Sequence, residues 1–407
     1  SMMQLNNTSG NAFINLFTLA GAPAFPLDGT INSINIGKGA NSVAGNTVLG
    51  ESALDASVSG GDNTAIGRAT LTALTSGTGN TALGHDSLKS VTTGSRNVGI
   101  GSLALDAITT TSNLTAVGTN ALGANTDGTG NVAVGYNSLD ENTTGTSNTA
   151  VGTSSLSTNI SGINNTAVGN SALELTTSNN NTAVGKDALE ANTSGSQSTA
   201  VGSQALTAAT TGGNNTAVGM NAAVSTTTGT ECVAVGTACL NDNTTGSQNV
   251  AVGRDALRSN TTASNNTALG HDALRLNTTG HSNVAVGANA LQANTTADFN
   301  NAVGYTALQN NTTGTLNDAF GYVALNDNTT GSHNTAIGGG ALDSNTTGDS
   351  NAAVGRDAIG SNTTGSQNTA LGRNALGVST TASNNTAVGY NSLVSNTTGD
   401  SNTALGS

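Results

Sequence analysis

Residues 334–367 read NTAIGGGALDSNTTGDS and then NAAVGRDAIGSNTTGSQ, two consecutive copies of one 17-residue unit. The Gly that ends the N-T-A-V-G run occurs 22 times between Gly50 and Gly406, with 20 intervals of 17 residues and one of 16. A fixed period of this kind is typical of repeat proteins, in which each unit packs on its neighbours. We number each unit with this Gly at position 5, so the consensus is N-T-A-V-G-x-x-A-L-x-x-N-T-T-G-x-x.

The length and pattern of the unit predict an all-β fold. Seventeen residues are too few for a helix–turn–helix repeat of about 34 residues or a leucine-rich unit of about 20–29, and no helical i, i+3, i+4, i+7 stripe occurs. A short β-branched run bounded by Gly and Asn is typical of a strand. The sequence therefore predicts a parallel β-solenoid or β-roll with one coil per unit. The strand covers about positions 1–4, Gly at position 5 turns the chain with a positive φ, and Asn-Thr-Thr-Gly forms the return.

The composition fits a stack of this kind and excludes two classes of partner. Only 35% of the 407 residues are apolar and 8% are charged, against about 45–50% and about 25% in globular domains. Aligned columns let this modest apolar content form a core. A net charge of −13 with 10 Lys and Arg leaves no basic stripe, so nucleic-acid binding is not expected. No run of 18 apolar residues occurs, so membrane insertion is not expected.

Three positions of the unit predict the core and an interface. Position 4 is always a large apolar residue and position 9 is Leu in 19 of 21 copies, which predicts that both face the interior. Neighbouring strand residues point to opposite faces, so Ala at position 3, present in 20 of 22 copies, would point outward. A small residue kept on an outer face indicates close approach of another copy, and we expect a homotrimer; a monomeric solenoid is the alternative. The predicted residues are Val134, Val151, Val168, Val252, Leu139, Leu257, Leu274 and Leu291 for the core; Gly135, Gly152, Gly253, Gly270 and Gly287 for the turns; and Ala133, Ala150, Ala251, Ala268 and Ala285 for the interface.

Residues with catalytic or metal-binding chemistry are scattered along the repeats. His85 and His271 each occupy position 6 and precede an Asp, but they lie 11 units apart without a third partner. A regular stack offers no converging pocket for paired carboxylates. The sequence therefore predicts no enzyme, no cofactor and no metal site. Cys232 and Cys239 are expected to pack as small free thiols, with a local disulfide as the alternative. The acidic residues at position 7 include Asp187, Asp255, Asp272 and Asp357.

The repeats resemble those of two known groups of proteins. The stretch from Ile34 to Gly50 looks like the entry of a trimeric β-roll, and the units are similar to S-V-A-I-G-x-x-S-x-A head repeats of trimeric autotransporter adhesins. They are closer to the N-T-A-V-G-x-x-A-L-x-x-N-T-T-G arrays of bacteriophage tail-fibre-type proteins. This resemblance covers residues 34–407 and implies a left-handed parallel β-roll, three chains about one axis and a role in surface attachment. Adhesin head units are usually shorter than 17 residues.

The chain divides into three predicted parts. Residues 1–33 lie outside the repeat and are expected to form an N-terminal cap or an attachment segment. Residues 34–50 are expected to be entry coils, and residues 51–407 an array of about 21 coils with a further part beyond position 407.

Three functions remain open at this stage. The first is a structural segment of a phage or virus tail fibre on the virion, a rigid spacer that can contact a host cell-surface glycan or protein. The second is the head of a bacterial trimeric surface adhesin, which is extracellular. The third is ice binding, which regular Thr at positions 13 and 14 suggests. Ice-binding faces usually use Thr-x-Thr, where both Thr share one face of a strand, whereas adjacent Thr would point opposite ways.

Overall fold

The computed structural model describes residues 29–31 and 33–407 and has the predicted all-β fold, a parallel β-solenoid of 17-residue coils. Most of the predicted cap, residues 1–28 and 32, lies outside the described residues. The 24 strands of the described chain are β1 Gly29–Ile31, β2 Ile34–Gly37, β3 Thr47–Glu51, β4 Thr64–Ile66, β5 Thr81–Leu83, β6 Val98–Ile100, β7 Thr115–Val117, β8 Val132–Val134, β9 Thr149–Val151, β10 Thr166–Val168, β11 Thr182–Val184, β12 Thr199–Val201, β13 Thr216–Val218, β14 Val233–Val235, β15 Val250–Val252, β16 Thr267–Leu269, β17 Val284–Val286, β18 Asn301–Val303, β19 Asp318–Phe320, β20 Thr335–Ile337, β21 Ala352–Val354, β22 Thr369–Leu371, β23 Thr386–Val388 and β24 Thr403–Leu405.

Strands β3 to β24 form one parallel ladder in which each strand pairs with the next in sequence. The register joins equal positions of successive units, as in Ala251 opposite Ala268. The ladder continues into the turns, since the Gly270 N–H donates to the Val252 carbonyl at 2.8 Å. With a rise of about 4.8 Å per coil, the 22 strands form a body on the order of 100 Å long.

The start of the stack differs from the prediction of parallel entry coils over residues 34–50. Strand β2 runs antiparallel to β3, with Ile36 opposite Leu49, and β1 runs antiparallel to β2. Only residues 38–46 connect β2 to β3, fewer than the dozen or more that a parallel connection needs. The chain therefore turns back, and β2 covers an edge of β3 that would otherwise be open for pairing.

The interior of each coil is filled by positions 1, 3, 8, 9, 12 and 15. The Leu side chains at position 9 are fully buried from Leu54 to Leu376, which confirms the predicted core residues Leu139, Leu257, Leu274 and Leu291. Each of these Leu has a positive φ, for example 50° at Leu257, which costs a residue with a side chain roughly 1–2 kcal/mol. Burial of a Leu side chain contributes about 1.5–3 kcal/mol, so burial offsets the strain.

The predicted orientation of the strand is wrong. Position 3 faces the interior of its own coil and is fully buried, so Ala133, Ala150, Ala251, Ala268 and Ala285 cannot contact another chain. Position 4 faces outward, which places Val134, Val151, Val168 and Val252 on the partly exposed surface and not in the core.

The reason for this orientation is the space beside position 9. One coil has Gly99 at position 3 in place of the usual Ala, and a Cβ atom there would lie 2.7 Å from Ser87 Oγ and 3.0 Å from Leu88 Cγ. The interior at position 3 is therefore tight, and strands β4–β24 place only Ala or Gly there, although Val48 of the first ladder strand, β3, is also buried. Because strand side chains alternate, the β-branched residue at position 4 must point outward.

Two buried ladders of Asn side chains hold successive coils together. At position 1, the Asn266 Oδ1 accepts from the Asn283 N–H at 3.0 Å, and the Asn266 Nδ2 donates to the Gly280 carbonyl at 2.9 Å. At position 12, the Asn260 Nδ2 donates to Asn243 Oδ1 at 2.9 Å. These bonds satisfy polar groups that would otherwise be buried without partners.

The position-12 ladder leaves an unpaired atom where it is interrupted. The Oδ1 atoms of Asn192 and Asn362 are buried without a hydrogen-bond partner. The next coil carries Ala209 or Ser379 at position 12 in these two places. A buried unpaired acceptor costs about 1–3 kcal/mol, so these two coils are local weak points of the stack.

The 16-residue coil between Gly169 and Gly185 keeps the register. Thr177 donates its backbone N–H to the Thr193 carbonyl, as position 13 does elsewhere, and Ser178 takes the place of position 15. The missing residue is therefore position 14, an exposed turn residue. Strands β10 and β11 remain in register, with Ala167 opposite Ala183.

Candidate functional site: the outer strand face and the position-6 ridge

The outer strand face consists of the position-2 and position-4 side chains of β3–β24. Position 4 forms an apolar column along the stack, and the Val residues of β9–β13 are each 36–38% exposed. Position 2 is Thr in 14 strands and Val in five. Asp318 is the one charged residue at these two positions in the described ladder, and its Oδ1 accepts from Asn301 Nδ2 at 2.7 Å. The face is thus a flat, nearly uncharged strip along an acidic protein.

The position-6 ridge consists of the side chains that directly follow the position-5 Gly. It carries all four Tyr of the sequence and half of its ten Lys and Arg. The Tyr305 and Tyr322 rings stack at 5.7 Å with 10° between their planes, and the Arg373 guanidinium lies 6.0 Å from the Tyr390 ring centre. The members with aromatic or cationic side chains are Arg68, His85, Tyr136, Lys186, Arg254, His271, Tyr305, Tyr322, Arg356, Arg373 and Tyr390.

The candidate His and Asp residues form surface pairs within single coils. His85 lies 3.5 Å from Asp86, and His271 lies 3.3 Å from Asp272. The two His residues are far apart in the stack, and the structure does not bring them together.

The other position-7 carboxylates pair with the preceding cation of the ridge. Lys186 Nζ lies 2.8 Å from Asp187, Arg254 Nε lies 2.9 Å from Asp255 and Arg356 Nε lies 3.1 Å from Asp357; Arg258 lies 3.5 Å from the same Asp255. The three ridge cations of these pairs are largely exposed to solvent, which limits what the pairs contribute to stability.

A notch interrupts the ridge between Tyr322 and Arg356. The intervening coil has Gly339 and Gly340 at positions 6 and 7, and a Cβ atom at Gly339 would meet only the Tyr322 carbonyl oxygen, at 3.8 Å. The two missing side chains leave a cavity of about 360 Å³ open to solvent. Its walls include Tyr322, Asp343, Arg356 and Asp357.

The acidic residues of the notch differ from their equivalents elsewhere. The side chain of Asp357 is 46% exposed, whereas Asp255 and Asp272 at the same position are 9% and 13% exposed. Gly340 explains the difference, because a Cβ atom there would lie 2.7 Å from the Asp357 Oδ1. Burial raises the pKa of Asp343, and the charges of Asp327 and Asp357 raise it further, against the lowering effect of the Ser344 N–H.

The Thr residues at position 13 use their hydroxyl groups within the stack. Thr244 Oγ1 donates to the Thr261 carbonyl at 3.0 Å, and Thr261 Oγ1 donates to the Thr278 carbonyl at 3.1 Å. The same bond recurs along most of the array. These hydroxyl protons are therefore committed to the protein itself.

The two Cys residues are free and buried, as predicted. Burial raises the pKa of the Cys239 thiol to about 12, and its Sγ donates to the Gly236 carbonyl at 3.0 Å. Burial also raises the pKa of Cys232. Both thiols fill small interior spaces.

Neither a metal cluster nor a membrane-spanning helix is found over residues 29–31 and 33–407. No three His, Cys, Asp or Glu side chains in this part of the chain could hold a metal ion together. None of its segments forms a helix long and apolar enough to cross a bilayer.

Sequence reasoning missed both surfaces as sites. The outer strand face was missed because the orientation of the strand was predicted in reverse, although Ala in 20 of 22 copies of position 3 indicated a tight interior position. The notch had a visible signal, since Gly338, Gly339 and Gly340 occur in succession where ridge residues normally stand.

No family model matches this chain, and the curated proteins contain no match to it.

Proposed function

We propose that the chain is a rigid segment of a homo-oligomeric attachment fibre, a spacer of the kind found in phage or virus tail fibres, which its repeats resemble. The observation that carries this proposal is the outer strand face, which keeps an apolar column at position 4 and is nearly uncharged over 22 registered strands. In the proposed assembly, three chains join through this face about one axis, with the left-handed winding that the resemblance implies. The fibre would stand on the virion or on a cell surface.

The period of the face favours a second copy of the same chain as its partner. Its apolar side chains recur with a rise of about 4.8 Å, and a partner with the same rise can match them along the whole length. Copies with a net charge of −13 repel one another, and the outer strand face is where they can approach without opposing like charges.

The size of the face is also sufficient for a stable interface. A strip on the order of 100 Å long and about 7–10 Å wide, the span of positions 2 to 4 on a strand, covers on the order of 700–1,000 Å². Stable interfaces bury about 800 Å² on each partner.

Charge introduced into the face is expected to separate the chains. We expect the wild-type protein to show three times the chain mass of 39.5 kDa in size-exclusion chromatography with light scattering. The triple variant Val184→Lys, Val201→Lys and Val218→Lys should show the mass of one chain, because three adjacent buried ammonium groups per chain would lack partners.

A matched variant separates this effect from the added charge itself. Lys at Thr211, Thr228 and Thr245, exposed position-14 residues of the same region, should leave the oligomer intact. A wild-type mass of 39.5 kDa would contradict the oligomer. If the triple Lys variant of the face remains a trimer and keeps the wild-type circular dichroism spectrum, the outer strand face is not the interface between the chains.

Ice binding is a second candidate, because the outer strand face carries a regular row of Thr at position 2. The repeat sequence alone suggests such a row at positions 13 and 14 instead. Five successive strands, β9–β13, all present Thr at position 2 and Val at position 4 on the same flat face. The position-13 hydroxyls, by contrast, are held within the stack. Regular Thr and Val rows could order water if the face were free.

A thermal-hysteresis assay tests this candidate on the same protein. If the face binds ice, the wild-type chain should depress the freezing point below the melting point and shape ice crystals. The Val184, Val201 and Val218 Lys variant should lose this activity, because the added side chains break the flat surface. Absence of hysteresis in the wild type removes ice binding.

A further inference from the structure

The notch in the position-6 ridge has the chemistry of a small binding site. Tyr305 stacks on one side of Tyr322, and the coil on the other side has Gly339 in place of a side chain. The second face of the Tyr322 ring is therefore open toward the notch. Tyr322 is 65% exposed, more than the three other Tyr of the ridge at 53–56%.

The gap matches the thickness of one flat ring. Tyr322 and Arg356 are two coils apart, or roughly 10 Å at about 4.8 Å per coil. A ring placed midway would lie about 4.8 Å from each, within the 4.5–7 Å at which aromatic rings contact flat partners. A ligand ring would thus take the place of the side chain that Gly339 lacks.

The polar groups around the gap suit a ligand with hydroxyl groups. Asp357 is exposed by Gly340, and Asp343 stands at the edge of the same cavity. Ionised carboxylates accept hydrogen bonds from hydroxyl groups, and the guanidinium of Arg356 donates them. Arg356 already pairs with Asp357 at 3.1 Å, and the nearby carboxylates Asp327 and Asp343 disfavour an anionic ligand.

We propose that the notch between Tyr322 and Arg356 binds a neutral pyranose ring of a surface glycan, stacked on Tyr322 with its hydroxyl groups bonded to Asp357, Asp343 and Arg356. This proposal deepens the attachment role above and rests on it for its biological meaning. The binding itself does not depend on the oligomeric state. A cavity of about 360 Å³ is near the lower end of the range of about 300–1,000 Å³ for small-molecule sites. A single open site binds weakly, and several sites on one fibre raise the avidity.

The experiment uses saturation-transfer NMR on the full chain with the methyl glycosides of glucose, galactose and mannose as probes. At least one of them is expected to bind with a Kd on the order of 1 mM. Gly339→Tyr should weaken this binding at least tenfold, because it continues the Tyr ladder and fills the gap. Tyr322→Ala should weaken it similarly, because it removes the stacking surface.

Two controls make the test specific. Tyr136→Ala removes an isolated ridge Tyr outside the notch and should leave binding unchanged. Gly339→Ser places a smaller side chain in the same open position and should weaken binding less than Gly339→Tyr. This variant keeps the test valid if the Tyr variant fails to fold.

Three results would overturn the proposal. They are the absence of transfer to all three glycosides, undiminished binding by Gly339→Tyr, and binding of methyl glucuronide as tight as that of the neutral probes. Because light scattering measures the oligomer separately, failure of the glycan site and failure of the fibre proposal are distinguishable.

Discussion

Gly338→Ala is expected to disrupt the stack, whereas Gly339→Ala in the next residue is expected to be nearly neutral. Gly338 has a φ of 130°, and a Cβ atom there would lie 2.7 Å from the carbonyl carbon and oxygen of Gly355 in the next coil. Backbone atoms of a registered ladder cannot move aside without breaking their hydrogen bonds. The left-handed backbone alone costs about 1–3 kcal/mol in a residue with a Cβ, and the contact adds to it.

The pair of variants is measured by thermal unfolding followed by circular dichroism. We expect Gly338→Ala to lose more than about 3 kcal/mol of stability and to lower the midpoint clearly, while Gly339→Ala stays within about 0.5 kcal/mol of the wild type. Equal midpoints for the two variants would show that the close approach of position-5 glycines in successive coils is not required.

Asn266→Asp is the second substitution with a large expected effect. Asn266 is fully buried, accepts from the Asn283 backbone and donates from Nδ2 to the Gly280 carbonyl. An ionised carboxylate can still accept the hydrogen bond from the Asn283 backbone. Its second oxygen replaces the Nδ2 donor and would face the Gly280 carbonyl oxygen, and these two acceptors repel each other. Burial and this repulsion raise the pKa of the introduced carboxyl in the folded state above its ordinary value of about 3.9.

The sign of the pH dependence follows from that shift. A raised folded pKa means that the unfolded chain releases its proton first, so stability falls as pH rises above about 4, by about 1.4 kcal/mol for each unit of difference in pKa. We expect a loss on the order of 3 kcal/mol at pH 7, most of it recovered at pH 4, where the protonated carboxyl can donate to Gly280.

Asn265→Asp serves as the control for this variant. It makes the same change one residue earlier, at an exposed position-17 side chain, and should show neither the loss nor the pH dependence. A pH-independent loss in Asn266→Asp would show that the missing hydrogen bond, and not the buried charge, weakens the stack. Comparison of unfolding midpoints at pH 4 and pH 7 decides between them.

Features set by the spacing of the repeat were predictable from the sequence. The period gave the parallel registered ladder, since equal units can stack only at equal positions. The invariant Gly at position 5 indicated a positive φ, confirmed by values of 132–144° at Gly135, Gly152, Gly253, Gly270 and Gly287. Leu at position 9 indicated the core, and Leu274 and Leu291 are fully buried.

Features set by the shape of the interior were not predictable from hydrophobicity alone. Val252 is larger and more apolar than Ala251, yet the Ala is inside, because Leu at position 9 already fills the space opposite the strand. The interior also contains more amide than a hydrophobic pattern suggests, since Asn266 and Asn260 are fully buried and each belongs to one of the two Asn ladders. The antiparallel β2 depends on one short connection rather than on the period.

The loss of one turn residue between Gly169 and Gly185 without a slip in register has a consequence for how such a chain can change. Each coil presents the same upper and lower edge to its neighbours. A whole unit could therefore be duplicated or deleted in the gene, and the coils on either side would still pair in the same register. The length of the protein would then change in steps of about 4.8 Å, one step for each unit gained or lost. Its span would record the number of units, while the turns of each unit remain free to diverge.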